Sequence, residues 1–382
     1  MNKNIFRWSL CIIFSSIILL SSCGQNRDEK VDNDFKKQWG LENSGRWDEL
    51  EIEDQDFTPQ KMKKDIDINY SGMWAALPKN FPQKEIVVAL IDSGVDFSND
   101  ELKKSRWENV NEIPNNELDD DRNGYVDDVY GWDFINNYGV PQNADYSNND
   151  HGTICAGIIA AEKNGKGIEG ITRGKKIKMM DLRVLDSTKM ADEGSIDDVI
   201  AAIKYAEKNG ARICNLSLST ESNDINLYNA IKDSKMLFIT SAGNNTSPLR
   251  INIDKKKLFP ASYDLPNLIS VTNIGFDGVL FIGSNIGPNS VKMAAPGTVI
   301  YSTLSNSGYG YSTGSSFAAP YVTGVAAVLY QYIDYPTPKN VNKILCESVT
   351  RLQSLDGKVL TGGMLNGMKA VTLARIYAKD YD

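Results

Sequence analysis

Glu85-Ile86-Val87-Val88-Ala89-Leu90-Ile91 is, after its first residue, an unbroken apolar and largely β-branched run, and it ends in Asp92-Ser93-Gly94. No polar residue alternates through it, which is the pattern of a strand buried on both faces of a parallel sheet. In such sheets ligand sites form beyond the carboxyl ends of the strands, so Asp92 stands where a functional acid is expected. A helix cap or a solvated loop acid is the ordinary alternative for one Asp in that place. The downstream segments repeat the theme. Lys176 to Leu185, Arg212 to Ser219, Met236 to Thr240 and Leu268 to Asn273 read as strands. Between them, Ser195 caps an amphipathic helix with Ile196, Val199, Ile200, Ile203 and Ala206 on one face, ending at Asn209-Gly210. Ile225 to Ile231 reads as a shorter helix. Alternating strands and helices predict an α/β fold, a doubly wound and mostly parallel sheet with helices on both faces. Ahead of the first strand, Trp39, Trp47 and Trp74 are the expected anchors of a polar stretch onto the core.

His151 is the only histidine in the chain. A zinc site built from several histidines is therefore excluded, and any step that needs imidazole must use this residue. It opens His151-Gly152-Thr153-Ile154-Cys155-Ala156-Gly157 and an apolar helix. Gly157 inside that helix costs about 1 kcal/mol relative to Ala, which predicts close packing against another element. Asn244, in Ser241-Ala242-Gly243-Asn244-Asn245, follows a strand end; it reads either as a turn residue or as an amide donor aimed into a site. Gly314-Ser315-Ser316-Phe317-Ala318-Ala319-Pro320 leads into an apolar helix read from Tyr321 to Leu329, with Pro320 expected in its first turn. This motif sets a Ser hydroxyl at a helix N-terminus, where backbone N–H groups and the dipole favour developing negative charge. Either serine also serves as a plain N-cap.

Asn115 to Trp132 is dense in acids. Asp119, Asp121 and Asn123 alternate, Gly124 follows, and Tyr125 comes next with its carbonyl; Asp127 falls two further on. That is the spacing of a calcium loop, in which alternate oxygen ligands wrap a hard cation. The twelfth position is Tyr130 rather than a bidentate Glu, so Asp127 or Asp128 has to close the predicted Ca2+ site. A solvated acidic turn is the alternative.

The 382 residues are 41% hydrophobic and 24% charged, with a net charge of −8. These are the proportions of a globular protein, and the negative balance argues against nucleic acid as a partner. Lys3 and Arg7 precede the apolar run Leu10 to Leu20, and Leu20-Ser21-Ser22-Cys23-Gly24 follows. The run is too short to span a bilayer comfortably and reads as a leader over residues 1–22. Cys23 after small residues resembles a bacterial lipobox, which implies lipidation at Cys23, a membrane anchor and an extracytoplasmic location. Residues 23–34 read as a polar tether. Cys155, Cys214 and Cys346 remain, an odd number, so at least one thiol is free and no disulfide framework is expected.

Asp after a parallel strand, then His and Ser each at a helix start, is one of the known orders of a Ser-His-Asp triad. Here the chain resembles the subtilisin-like serine peptidases, the subtilases. The resemblance rests on Ala89 to Val95, on His151-Gly152-Thr153 with Ala156-Gly157, on Ser241 to Asn244 and on Gly314 to Pro320, and it covers Phe35 to Tyr377. It implies a three-layer subtilisin-like fold, one peptidase domain over 35–382, a monomer, and hydrolysis of proteins or peptides. It further implies Ser316 as nucleophile, His151 as base, Asp92 as its orienter and Asn244 as oxyanion donor. Ser217-Leu218-Ser219 would pair with substrate backbone, and Ala242-Gly243 would form one wall of the primary specificity pocket. Ser315, Ile154 and Ser219 depart from the residues usual in the family, and Glu101 replaces an Asp at a second calcium position. Cys155 is similar to the thiol of one family branch and implies sensitivity to mercurials. The stretch ahead of the first core strand is expected to hold no inhibitory propeptide of the family type. Three roles are compatible with this reading: a general protein-degrading enzyme, a dedicated processing peptidase for one exported precursor, and a silent fold that binds peptides.

Overall fold

The run that opens the sequence argument forms the central strand, Ile86–Asp92 (β1), of a ten-stranded sheet. The computed structural model describes residues 5–7, 34–52, 61–81, 83–142, 144, 149–186, 193–245 and 250–377. The leader and Cys23 lie outside the described residues, apart from a short strand Ile5–Arg7 paired antiparallel with Glu193–Ser195. The other strands of the main sheet are Gly131–Asp133 (β2), Tyr138–Gly139 (β3), Ile177–Arg183 (β4), Ile213–Leu216 (β5), Leu237–Ser241 (β6), Leu268–Ile274 (β7) and Met293–Pro296 (β8). A hairpin of Ile300–Thr303 (β9) and Tyr309–Ser312 (β10) stands apart from it, and Thr350–Arg351 (β11) with Gly363–Met364 (β12) completes one edge.

Across the sheet the order is β11-β12-β8-β7-β6-β5-β1-β4-β2-β3. Pairing is parallel from β12 to β2 and antiparallel only at the two edges. After β1 the chain forms β2 and β3 at the outer edge on one side, returns as β4 beside β1, and then crosses to the other side for β5 to β8. The order therefore reverses at β1, and the crevice that such a reversal opens lies at its carboxyl end, where Asp92 is the last residue.

Side chains of a strand alternate between faces, and the two faces here fill two cores. Val88 and Leu90 join Ile213, Leu237 and Ile239 beneath helices His151–Ala160 (α2) and Ser315–Tyr332 (α5). Ala89 and Ile91 join Met180, Cys214 and Phe238 beneath Ile196–Lys208 (α3) and Ile225–Asp233 (α4). Tyr70–Ala76 (α1), Pro338–Glu347 (α6) and Gly367–Ala374 (α7) pack on the first face. The expected three layers are present. Ser195 caps α3 by accepting the Asp197 N–H at 3.2 Å, as the sequence predicts. Trp39 is buried, Trp47 packs edge-on against Phe276 at 5.2 Å, and Trp74 donates to the Ile171 carbonyl at 3.1 Å. Among the described residues no helix is long and apolar enough to cross a membrane, and Cys155, Cys214 and Cys346 are free thiols.

Two expectations change. The strand read to Ser219 stops at Leu216, and Ser217, Leu218 and Ser219 leave the sheet as buried irregular chain. The Leu218 carbonyl accepts the Thr240 hydroxyl at 3.4 Å rather than a ladder bond. The helix read from Tyr321 starts six residues earlier, at Ser315, so Pro320 is the sixth helical residue and not a first-turn one. Proline has no N–H, so the carbonyl four residues back loses its helical partner. That carbonyl belongs to Ser316, and two other groups take it up.

Candidate active site

Asp92 is fully buried, and its Oδ1 lies 2.7 Å from His151 Nδ1. The same oxygen accepts the Ser93 N–H at 2.7 Å, while the Asp92 carbonyl accepts the Val184 N–H at 2.9 Å. Ser93 holds the surroundings together. Its Oγ accepts the Gly152 N–H at 3.2 Å, and its carbonyl accepts Arg183 Nε–H at 3.2 Å. Arg183 in turn bonds the buried Asp133 carboxylate at 2.7 Å. Asp92, Arg183 and Asp133 are in register across β1, β4 and β2.

His151 is the first residue of α2 and donates its backbone N–H to Asn149 Oδ1 at 3.0 Å. The helix can sit this close to the β1 loop because residue 152 is glycine: a Cβ there would stand 2.2 Å from the Gly94 carbonyl oxygen. One turn along α2, Cys155 Sγ reaches the same cluster, within 4.8 Å of ligand atoms of both Asp92 and His151. Burial, and next the Asp92 charge, push this thiol well above its ordinary pKa, so it stays protonated.

The imidazole of His151 packs against the Phe317 ring at 5.2 Å, which brings the start of α5 beside it. Ser316 is the second residue of that helix, among the first four N–H groups that have no intrahelical acceptor. Its carbonyl, released by Pro320, accepts the Ser217 hydroxyl at 2.9 Å and the Cys155 thiol at 3.7 Å. Its own hydroxyl reaches the Ser217 carbonyl at 3.5 Å. Asn244 Oδ1 accepts the Ser315 N–H at 2.9 Å, which fixes the side-chain amide with its NH2 as the donor side. A Cβ at Gly314 would lie 3.4 Å from that Nδ2. Asp92, His151, Asn244 and Ser316 are thus gathered at one end of the sheet from β1, α2, the β6 loop and α5.

Beside them, the Ala242 carbonyl accepts Asn285 Nδ2 at 3.1 Å and the Gly243 carbonyl accepts the Asn285 N–H at 3.2 Å. Ser219 Oγ and Leu258 Cδ1 both come within 3.2 Å of where a Gly243 Cβ would be. Ser219 thus lies beside Gly243, the residue before Asn244, whose side chain bonds the first residue of the Ser316 helix.

Comparison with known proteins matches residues 83–362 to the subtilase family. The chain is 32% identical over 316 residues to subtilisin-like protease 1 of Plasmodium falciparum (isolate 3D7), covering 77% of this chain and 44% of that protein. It is 33% identical over 246 residues to a thermophilic serine proteinase of Bacillus sp. (strain AK1), covering 63% of this chain and 51% of that one. The chain belongs to the subtilase family. It spans about half, or less, of the length of these relatives.

In this subtilase the acidic loop has a neighbour that its spacing does not give. Asp119 and Asp121 come together with Glu112, their ligand atoms within 4.8 Å of one another. Glu112 escapes a reading based on loop spacing because it lies outside the repeat and the fold brings it in. One of its oxygens, Oε2, is buried with no hydrogen-bond partner, and burial pushes its pKa up, with help from the Asp128 and Asp121 charges. Asn123 Oδ1 accepts the Tyr125 N–H at 2.8 Å, and its amide donates to Asp121 and Asp128. The Tyr125 ring packs edge-on against Trp132 and Tyr205, both at 4.8 Å. Asp127 does not face the cluster; its carboxylate accepts the N–H groups of Asn116 and Glu117 at 3.1 and 3.0 Å. Asp128 is buried and accepts from Asn109, Asn123 and Tyr205. At the second position of interest, Glu101 is held by protein donors, Tyr309 OH at 2.8 Å and Asn164 Nδ2 at 3.3 Å.

Proposed function

We propose that this subtilase is a serine endopeptidase acting on proteins or peptides through an acyl-enzyme. The observation that carries the reading is the buried 2.7 Å contact between Asp92 and the chain's sole imidazole, set against the N-terminus of the Ser316 helix. Ser316 Oγ attacks the scissile carbonyl carbon as His151 Nε2 accepts the hydroxyl proton. Asp92 holds the tautomer whose Nε2 is the base and stabilises the imidazolium that forms. The new oxyanion takes hydrogen bonds from Asn244 Nδ2 and the Ser316 N–H. The C–N bond then breaks, the imidazolium returns its proton to the leaving amine, and an ester remains on Ser316. Water, losing a proton to His151, attacks that ester; the acid product departs and Ser316 regains its proton.

Supporting groups fit this scheme. Ser217 keeps the Ser316 turn in place through the carbonyl that Pro320 frees. Glu112, Asp119 and Asp121 would hold a calcium ion, and the orphaned Glu112 oxygen supports that assignment. The ion would neutralise the loop and brace it, with no part in the bond chemistry. Cys23, which lies outside the described residues, is the proposed lipid site and would anchor the chain to an extracytoplasmic membrane face; a monomer is the proposed state. Residues 1–22 are the proposed leader, 23–34 the tether and 35–382 the single peptidase domain.

A processing role for one exported precursor is the alternative to broad degradation; Ser219, beside Gly243, is the residue that would restrict the side chains accepted. Labelling with a fluorophosphonate tests the chemistry: a covalent adduct on Ser316 is expected, absent in Ser316→Ala. No adduct on folded, calcium-loaded protein would leave only the silent peptide-binding fold. Digestion of a random peptide library separates the two roles, since cutting at many unrelated sites would remove the processing reading. Cys23→Ser should move the protein from the membrane fraction to the soluble one; continued membrane retention would sink the anchor assignment.

A further inference from the structure

The outer edge of the sheet beside the acidic loop holds a cleft of about 520 Å³. Pro114, Val126, Tyr130, Trp132, Tyr138 and Pro141 are among its walls. Large apolar side chains stand out in solvent around it. Val110, Ile113, Leu118, Val126 and Tyr138 are all exposed, Val110 at 87%. Scattered exposed apolar residues are ordinary, but a cluster rimmed by charge marks an interaction surface. The indole N–H of Trp132, in the cleft wall, is buried without an acceptor among the described residues. That atom is closed to solvent, so it belongs to the packed back of the wall and the apolar faces are what the cleft presents. The charge beside the cleft is mostly negative: from Glu108 to Asp128 the chain carries eight carboxylates and one arginine, Arg122, while the Arg106 guanidinium is engaged by the Pro141 and Gln142 carbonyls and stacks on the Tyr130 ring. A bound divalent ion would leave that stretch negative.

Register places this cleft relative to the catalytic groups. Asp92 pairs with Arg183, Arg183 with Asp133, and Asp133 with Tyr138. Four strands in a row put Tyr138 three strand spacings from Asp92, about 14 Å at the usual separation. Both lie at the same end of the sheet. An extended chain advances about 3.4 Å per residue, and Ser316 lies on the far side of Asp92 from the cleft, so at least about four or five residues link the reacting bond to it.

We propose that the cleft is a secondary docking site for the polypeptide substrate, taking an extended segment that carries apolar and cationic side chains. The proposal rests on the endopeptidase reading. The apolar side chains cover the exposed patch and the cations answer the carboxylates. The gain is in substrate affinity, because the site lies away from the reacting atoms.

The test uses the full chain and a short peptide that it cleaves. That peptide is extended on either side by a five-residue spacer and a Lys/Leu segment, or by the same spacer and a Glu/Leu segment. Active sites are first titrated with a fluorophosphonate, so a chain that fails to label counts against the endopeptidase reading and not against the cleft. On one side, the Lys/Leu extension should lower KM at least about tenfold with kcat little changed. The double variant Ile113→Ser/Val126→Ser should lose that gain and cleave the short peptide as the wild type does. A photoreactive residue in the extension should crosslink within residues 110–142 of the wild type, a readout that needs no variant. The proposal falls if neither side gains, if Glu/Leu gains as much as Lys/Leu, if the gain survives the double variant, or if crosslinks map elsewhere.

Discussion

Ser93 makes three bonds that together position the acid of the proposed triad: to Asp92 through its N–H, to Gly152 through Oγ and to Arg183 through its carbonyl. Arg183 is therefore more than a partner for Asp133. Replacing it by Met leaves a fully buried carboxylate without its cation, a loss of about 3–5 kcal/mol, measurable by urea unfolding. In the protein that remains folded, kcat should fall while KM stays near the wild-type value; an unchanged kcat would separate Arg183 from the triad. Asn244→Ala should reduce kcat by about 100- to 1000-fold with little change in KM, the range already known for the oxyanion amide of subtilisin, a member of the same family. Asp92, His151, Asn244 and Ser316 were legible because each follows a strand end or opens a helix, and because only one histidine exists. Glu112 was not legible, since the fold alone brings it to Asp119 and Asp121. Nor was the tie from Ser217 to Ser316, which depends on a carbonyl that Pro320 leaves free.

At the scale of elements, strand identity followed from apolar runs, and the boundaries moved where tertiary bonds took over from the ladder. Arg212 to Ser219 looked continuous, yet only Ile213–Leu216 pairs, because the serines beyond are recruited by α5 and Gly243. The close packing predicted for Gly157 is present: a Cβ would sit 2.2 Å from Thr303 Oγ1 and 2.5 Å from Ser302 Oγ. Gly157→Ala should therefore destabilise by about 1–3 kcal/mol despite the better helix propensity of Ala, as read by chemical denaturation. The β9–β10 hairpin is tied down by Tyr309 to Glu101. Burial outweighs the two donors there and raises the Glu101 pKa from 4.5 to about 7. Below about 4.5 the carboxyl is neutral whether the chain is folded or not, and folding bears no cost from it. As pH rises towards 7 the unfolded chain releases a proton that the folded chain retains, so stability falls, then levels off. Glu101→Gln should match the wild type at about pH 4 and melt higher at about pH 8; equal melting temperatures at both would contradict the assignment.

For the whole molecule, two cores on opposite faces of one sheet meet only through the strands, and the acidic loop braces the outer edge of those strands. If calcium sits at Glu112, Asp119 and Asp121, saturation at 100 times Kd contributes about 2.7 kcal/mol. Chelation should then lower Tm by several degrees, and Glu112→Gln should abolish the difference; a Tm indifferent to chelator would remove the ion from the account. The gathering of catalytic groups has a further consequence, one of timing. Asp92 and His151 meet through contacts 59 residues apart in sequence, whereas Ser316 joins them by way of Ser217, 99 residues before it. A nascent chain that ends anywhere short of Ser316 carries an acid and a base but no nucleophile and no helix end to receive an oxyanion. On the proposed mechanism, hydrolytic power is thus acquired late as the polypeptide is made, and a chain released before residue 316 cannot cut.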